Sequence, residues 1–118
     1  MNDNPVESQF NGVITEVRKY RIKAGRREEF LTHFDTNVLP LQRSKGMAIV
    51  GPFRDVENGD TIVWLRIFPS LDDRKRMLDA FYESDEWKGG LKETTADMIE
   101  SHSQAVVWLP GWILRGAR

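Results

Sequence analysis

The residues best equipped for chemistry in this chain are two histidines and a strand that alternates carboxylate, guanidinium and phenol. His33 sits among Phe30, Leu31, Phe34, Val38 and Leu41, a spacing that makes one apolar stripe on a helix. At about 100° per residue its imidazole falls at the border of that stripe. A border position can open into a cleft, where an imidazole serves as acid, base or ligand. His33 is therefore the candidate catalytic residue, and Asn37, Trp64 and Trp87 join it as ligand-pocket candidates. His102, at the turn into the last strand-like run, completes the histidine inventory. The two histidines show no H-x-x-x-H or carboxylate spacing, so no metal site is expected. No cofactor is predicted either, although either histidine can serve as an axial haem ligand, the alternative reading.

Such groups need a scaffold, and the strand "VITEVRKYRI" (13–22) states the problem. Successive side chains point to opposite faces, so Ile14, Glu16, Arg18 and Tyr20 share one face and Val13, Thr15, Val17 and Lys19 the other. In "TIVWLRIF" (61–68) the sets are Val63, Leu65, Ile67 and Ile62, Trp64, Arg66, Phe68. The aliphatic set fits beneath helices. The mixed sets are too apolar for water and too polar for an ordinary core, and suit a second identical sheet in a closed two-fold dimer. On that reading the dimer-interface candidates are Glu16, Arg18, Tyr20 and Arg66, with Trp108 from the last strand and Trp112 beyond it. Arginine also binds carboxylates bidentately, but an interface ion-pair network that sets register is the preferred role here.

The remaining pattern supplies the other elements. A helix is expected over about 26–44, kinked in its last turn by Pro40 and stopped at Gly46. Extended runs 47–56 and 60–69 flank Asn58-Gly59, a hairpin signal, with Pro52 suited to an edge or bulge. Ser70 caps a second helix with Asp73 three residues on. That helix restarts near Ser84 or Asp85 and is weakened by Gly89-Gly90 before a short strand at 103–110. The order β-α-β-β-α-β predicts an α+β, ferredoxin-like fold: a four-stranded antiparallel sheet with two helices on one face. The domain is expected over 12–110, between a flexible arm at 1–11 and a tail at 111–118 that packs on the dimer through Trp112, Ile113 and Leu114.

Composition narrows the function classes. With no cysteine among 118 residues, disulfides and thiolate chemistry are excluded. Seventeen basic against eighteen acidic residues, without a basic block, argue against nucleic acid as the partner. No apolar run reaches the ~20 residues needed to cross a bilayer, and "MNDNPVESQF" is the opposite of a secretory signal. A cytoplasmic protein is expected. No phosphate-binding glycine loop, nucleophile elbow or carboxylate pair stands out.

Two segments resemble a known family. "ITEVRKYRIKAGRREEFLTHF", followed by "VLPLQ", is similar to the opening of NIPSNAP domains, with Glu16, Arg18, Tyr20, Gly25, Leu39 and Pro40 at the matching positions. "SLDDRKRMLDAFYESDEW" resembles that family's second helix, through Ser70, Leu71, Asp72, Asp73, Asp85, Glu86 and Trp87. The resemblance implies a dimeric α/β barrel, a fold shared with small monooxygenases, muconolactone-type isomerases and haem-binding enzymes. It implies no catalytic residues. The expected function is a homodimer binding a small apolar metabolite, with cofactor-independent oxygenase or isomerase activity as one form of it. A non-enzymatic dimerisation or scaffold module is the alternative.

Overall fold

A computed structural model describes residues 13–110, so the expectations for the 1–11 arm and the 111–118 tail, Trp112 included, lie outside the described residues. The elements are β1 (Val13–Ile22), α1 (27–44), β2 (Ala48–Arg54), β3 (Thr61–Phe68), α2 (Leu71–Tyr82), α3 (Lys92–Met98) and β4 (Ile99–Leu109). The strands form one antiparallel sheet in the order β2-β3-β1-β4. This is the ferredoxin-like arrangement.

Local chemistry explains most element boundaries. Glu28 and Glu29 occupy the first turn of α1, where carboxylates complement the helix dipole. Its middle turn, Phe34–Val38, widens into a π-turn in which Leu39 N–H bonds to the Phe34 carbonyl. Pro40 lacks the N–H for a regular bond and its ring crowds the carbonyl four residues earlier, so the irregularity precedes the proline rather than following it. Gly46, at φ 96°, ends the helix in a conformation that few other residues adopt. Ser70 caps α2 as expected, its Oγ accepting from Asp73 N–H at 3.0 Å. A π-turn at Trp87–Leu91 leads into α3, broken at Gly90 by φ 135°.

Two boundaries differ from the sequence reading. The hairpin between β2 and β3 forms, but Gly59 does not take positive φ. Asp55 and Asn58 organise the loop by accepting the backbone N–H groups of Glu57, Asn58 and Asp60. β4 begins at Ile99 rather than at 103, because an edge strand keeps polar residues such as Ser101 and Ser103 in solvent and so lacks an apolar signature.

The larger correction concerns the faces of the sheet. The mixed sets lie beneath the helices: Ile14, Tyr20, Ile62, Trp64 and Phe68 share one core with Phe30, Phe34, Val38, Phe81 and Met98. Glu16 and Arg66 are buried in the same layer, at 0% and 2% exposure. Cross-strand register places the aliphatic sets together on the other face, with Val17, Val63, Leu65, Ala105 and Val107 among them. None of those residues joins the core made with the helices. Glu16, Tyr20 and Arg66, expected to face a partner subunit, are thus interior, because the helices bring their own polar groups to meet them.

Candidate functional site

Strand register builds the site. Glu16 on β1 stands opposite Arg66 on β3, and Arg18 opposite Trp64 on one side and Gln104 of β4 on the other. The Glu16 carboxylate collects three guanidiniums. Arg66 donates to Oε1 through Nε at 2.8 Å and Nη2 at 2.6 Å, Arg18 Nη1 adds 3.1 Å, and Arg74 of α2 reaches Oε2 at 2.8 Å. Burial pushes this carboxyl up, but the Arg66 charge, the hydrogen bonds from Arg66 and Arg74, and the Arg18 charge outweigh it and hold the pKa below the ordinary value.

The arginines continue into the neighbouring aromatic groups. Arg18 donates to the Tyr20 hydroxyl through Nε and Nη2, at 3.3 and 3.0 Å, and to Gln104 Oε1. Arg66 Nη1 donates to the Tyr82 hydroxyl at 3.2 Å. The Arg18 and Arg66 guanidinium carbons lie 5.4 and 5.2 Å from the Trp64 ring centroid, within cation–π range.

Arg18, Arg66 and their aromatic neighbours border a cavity of about 380 Å³ between the sheet and the helices. Arg18, Tyr20, Trp64 and Arg66 line it from the sheet, Phe34, Val38 and Gln42 from α1, and Phe81, Tyr82 and Trp87 from α2 and the turn after it. Lys92, Thr95 and Ala96 of α3, with Ile99, Glu100 and His102 of β4, complete the wall among the described residues. Trp87 packs on Phe81 at 4.7 Å between ring centroids. Two buried polar atoms of lining residues, Gln42 Oε1 and Trp64 Nε1, have no hydrogen-bond partner among the described residues. A buried polar group without a partner is uncommon and marks a wall not optimised for stability alone.

The expected site residues are placed as follows. Trp64 and Trp87 line the cavity. His33 does not border it: its Nε2 lies 2.8 Å from the Thr95 hydroxyl, and Thr95 stands on the wall. Asn37 is exposed and lies with Nδ2 3.1 Å from His33 Nδ1. Of the two histidines considered as haem ligands, His102 borders the cavity. Of the residues expected at a dimer interface, Arg18, Tyr20 and Arg66 instead line the cavity, with Glu16 buried beneath them. Trp108 shares their side of the sheet, opposite Ile14, and packs on the core.

Sequence reasoning missed Arg74, Tyr82 and Thr95 as site residues. Arg74 carried a usable signal: it falls in helical register with Leu71, Leu78 and Phe81, a cation within an apolar stripe. No group of three or more histidine, cysteine or carboxylate residues suited to a metal ion occurs among the described residues. No helix among them is long and apolar enough to cross a membrane.

The arrangement can do one thing well. It presents fixed N–H and O–H donors to a partly enclosed, aromatic-walled space, where such donors hold an oxygen that carries or develops negative charge.

Comparison with known proteins places the chain. It is similar to a NIPSNAP family protein of unknown function from Agrobacterium tumefaciens, at 25% identity and TM-score 0.74, over 83% of this chain and 88% of that one. An uncharacterised NIPSNAP domain protein from Burkholderia xenovorans matches at 17% identity and TM-score 0.75, over 83% and 94%. A provisionally assigned antibiotic biosynthesis monooxygenase from Nitrosomonas europaea shares the fold at 14% identity and TM-score 0.59, over 84% and 89%. No curated protein matches the chain significantly. The NIPSNAP family model matches residues 15–112, a span that holds the Glu16, Arg18 and Tyr20 floor and every helix over it, and the chain belongs to the NIPSNAP family.

Proposed function

We propose that this protein is a cytoplasmic homodimer that binds a small, flat, largely apolar metabolite in the pocket of each subunit. The observation that carries the reading is the cavity of about 380 Å³, walled by Phe34, Trp64, Phe81 and Trp87 around a few convergent polar groups. Small-molecule sites have this size and make-up. A dimerisation module without a ligand has no use for such a space. The polar floor suits reactions that pass through an oxyanion, so cofactor-independent isomerisation or oxygenation of the bound metabolite is the chemistry it supports.

The dimer rests on the other face of the sheet. Val17, Val63, Leu65 and Val107 are only partly buried there and form a contiguous aliphatic surface across β3, β1 and β4. A second copy of the same sheet buries it with two-fold symmetry.

Native mass spectrometry on freshly purified protein tests both parts. The expected spectrum is a dimer that carries a small-molecule increment, lost on denaturation. A monomer overturns the assembly. A dimer with no increment, which also takes up none of a panel of bicyclic aromatic probes, overturns the binding role.

A further inference from the structure

The pocket's charge inventory points to a narrower ligand class. Three guanidiniums, Arg18, Arg66 and Arg74, surround the single Glu16 carboxylate, a formal surplus of two positive charges where the carboxylate is fully buried. An ion pair kept only for structure balances its charges, since an uncompensated charge away from water is costly. Here both Glu16 oxygens already accept from arginine donors. Two of the three, Arg18 and Arg66, border the cavity.

Hydrogen-bond polarity agrees with the charge. The Tyr20 and Tyr82 hydroxyls accept from Arg18 and Arg66, which leaves each phenolic O–H to donate. Lys92 lies on the same wall. Among the described residues the one carboxylate that lines the cavity, Glu100, is turned to Arg21 at 3.1 Å on the protein surface. The walls above this donor-rich floor are the rings of Phe34, Trp64 and Trp87.

We infer that the pocket is a receptor for an organic anion, a carboxylate or enolate borne on a flat apolar body. The anion sits against Arg18, Arg66, Tyr20 and Tyr82, and the body lies between Trp64 and Trp87. This rests on the pocket reading above and adds the charge of the ligand. Recognition is by charge and planarity together: guanidinium forks match the two oxygens of a carboxylate, and the aromatic walls match a ring.

The test compares 2-naphthoate with its neutral isostere 2-naphthamide, both titrated into the dimeric protein and followed by calorimetry and tryptophan fluorescence. The acid is expected to bind about tenfold or more tightly than the amide, as a charge-assisted hydrogen bond replaces a neutral one. Arg18→Gln should weaken the acid more than the amide and so narrow the gap between them, with Arg66 still in place; the acid–amide comparison on the unaltered protein stands even if the variant misfolds. Equal binding of acid and amide overturns the anion assignment and leaves the pocket reading intact. Failure of both probes to bind at millimolar concentration overturns the two together.

Discussion

The two faces of this sheet have opposite compositions and opposite needs. The helix-covered face holds Glu16, Arg18, Trp64 and Arg66, and the other carries Val17, Val63, Leu65 and Val107. Apolar bookkeeping assigns the aliphatic face to the helices, since burying it there gains the most transfer free energy. The molecule does the reverse. A polar group can be interior when its partners come with the covering layer, and α2 brings Arg74 and Tyr82 to the charged floor. An aliphatic face makes no such specific demand, and a second copy of the same sheet, as proposed above, would satisfy it.

The largest expected effect comes from breaking the charged side of this comparison. Glu16→Gln keeps the shape of the side chain and removes the only negative charge among three guanidiniums. Breaking a buried ion pair by removing one partner costs about 3–5 kcal/mol. Urea denaturation should show a loss of that order, with the m-value unchanged. A loss under about 1 kcal/mol, the range of an exposed pair, would mean that the floor is solvated and that the contrast between the faces is only one of composition.

The aliphatic side is broken by Leu65→Glu. A carboxylate at the centre of the proposed subunit contact should raise the dimer dissociation constant about a hundredfold or more, by the cost of burying an unpaired charge. Light scattering behind a sizing column would show a monomer at micromolar protein. Naphthoate binding should persist, because Leu65 points away from the pocket. A dimer that survives the substitution places the interface elsewhere, and loss of naphthoate binding would show that the two faces are coupled.

The element order was legible because each signal was local. Ser70 with Asp73, Gly46, Gly89-Gly90 and the alternation in β1 and β3 act within a few residues of themselves. The faces were not legible in the same way, since alternation sorts side chains into two sets without saying which one the helices cover. That choice depends on whether the helices carry partners for Glu16, and Arg74 meets it across a sequence separation of 58. The π-turn before Pro40 and the early start of β4 were missed for a related reason: one is a backbone accommodation, and the other is a polar edge strand recognisable only from its pairing with β1. Within the candidate site, Trp64 and Trp87 were readable as aromatic walls. Glu16, Arg18 and Arg66 stand out by type, but alternation alone leaves their side open, and it is the helix-covered one.

The smallest effect sharpens the comparison within the helix layer. Asn37 Nδ2 is a donor, so His33 Nδ1 accepts from it, and Nε2 carries the proton that bonds to the Thr95 hydroxyl. Burial lowers the imidazole pKa, and the Glu29 charge pulls it back only in part. The unfolded chain therefore binds this proton more readily than the native one. Its contribution to stability is complete above about pH 6.5, the unfolded value, and is lost as pH falls from there toward the lowered folded value. His33→Gln retains a neutral donor and acceptor without the titration. Urea midpoints taken from about pH 7.5 down to about pH 5 should fall less steeply for the variant than for the parent protein over that window. The dimer fraction should be the same for both, since His33 lies on the helix side. Parallel pH profiles would mean that the imidazole titrates as it does in water, and that the contact with Thr95 does not hold it neutral.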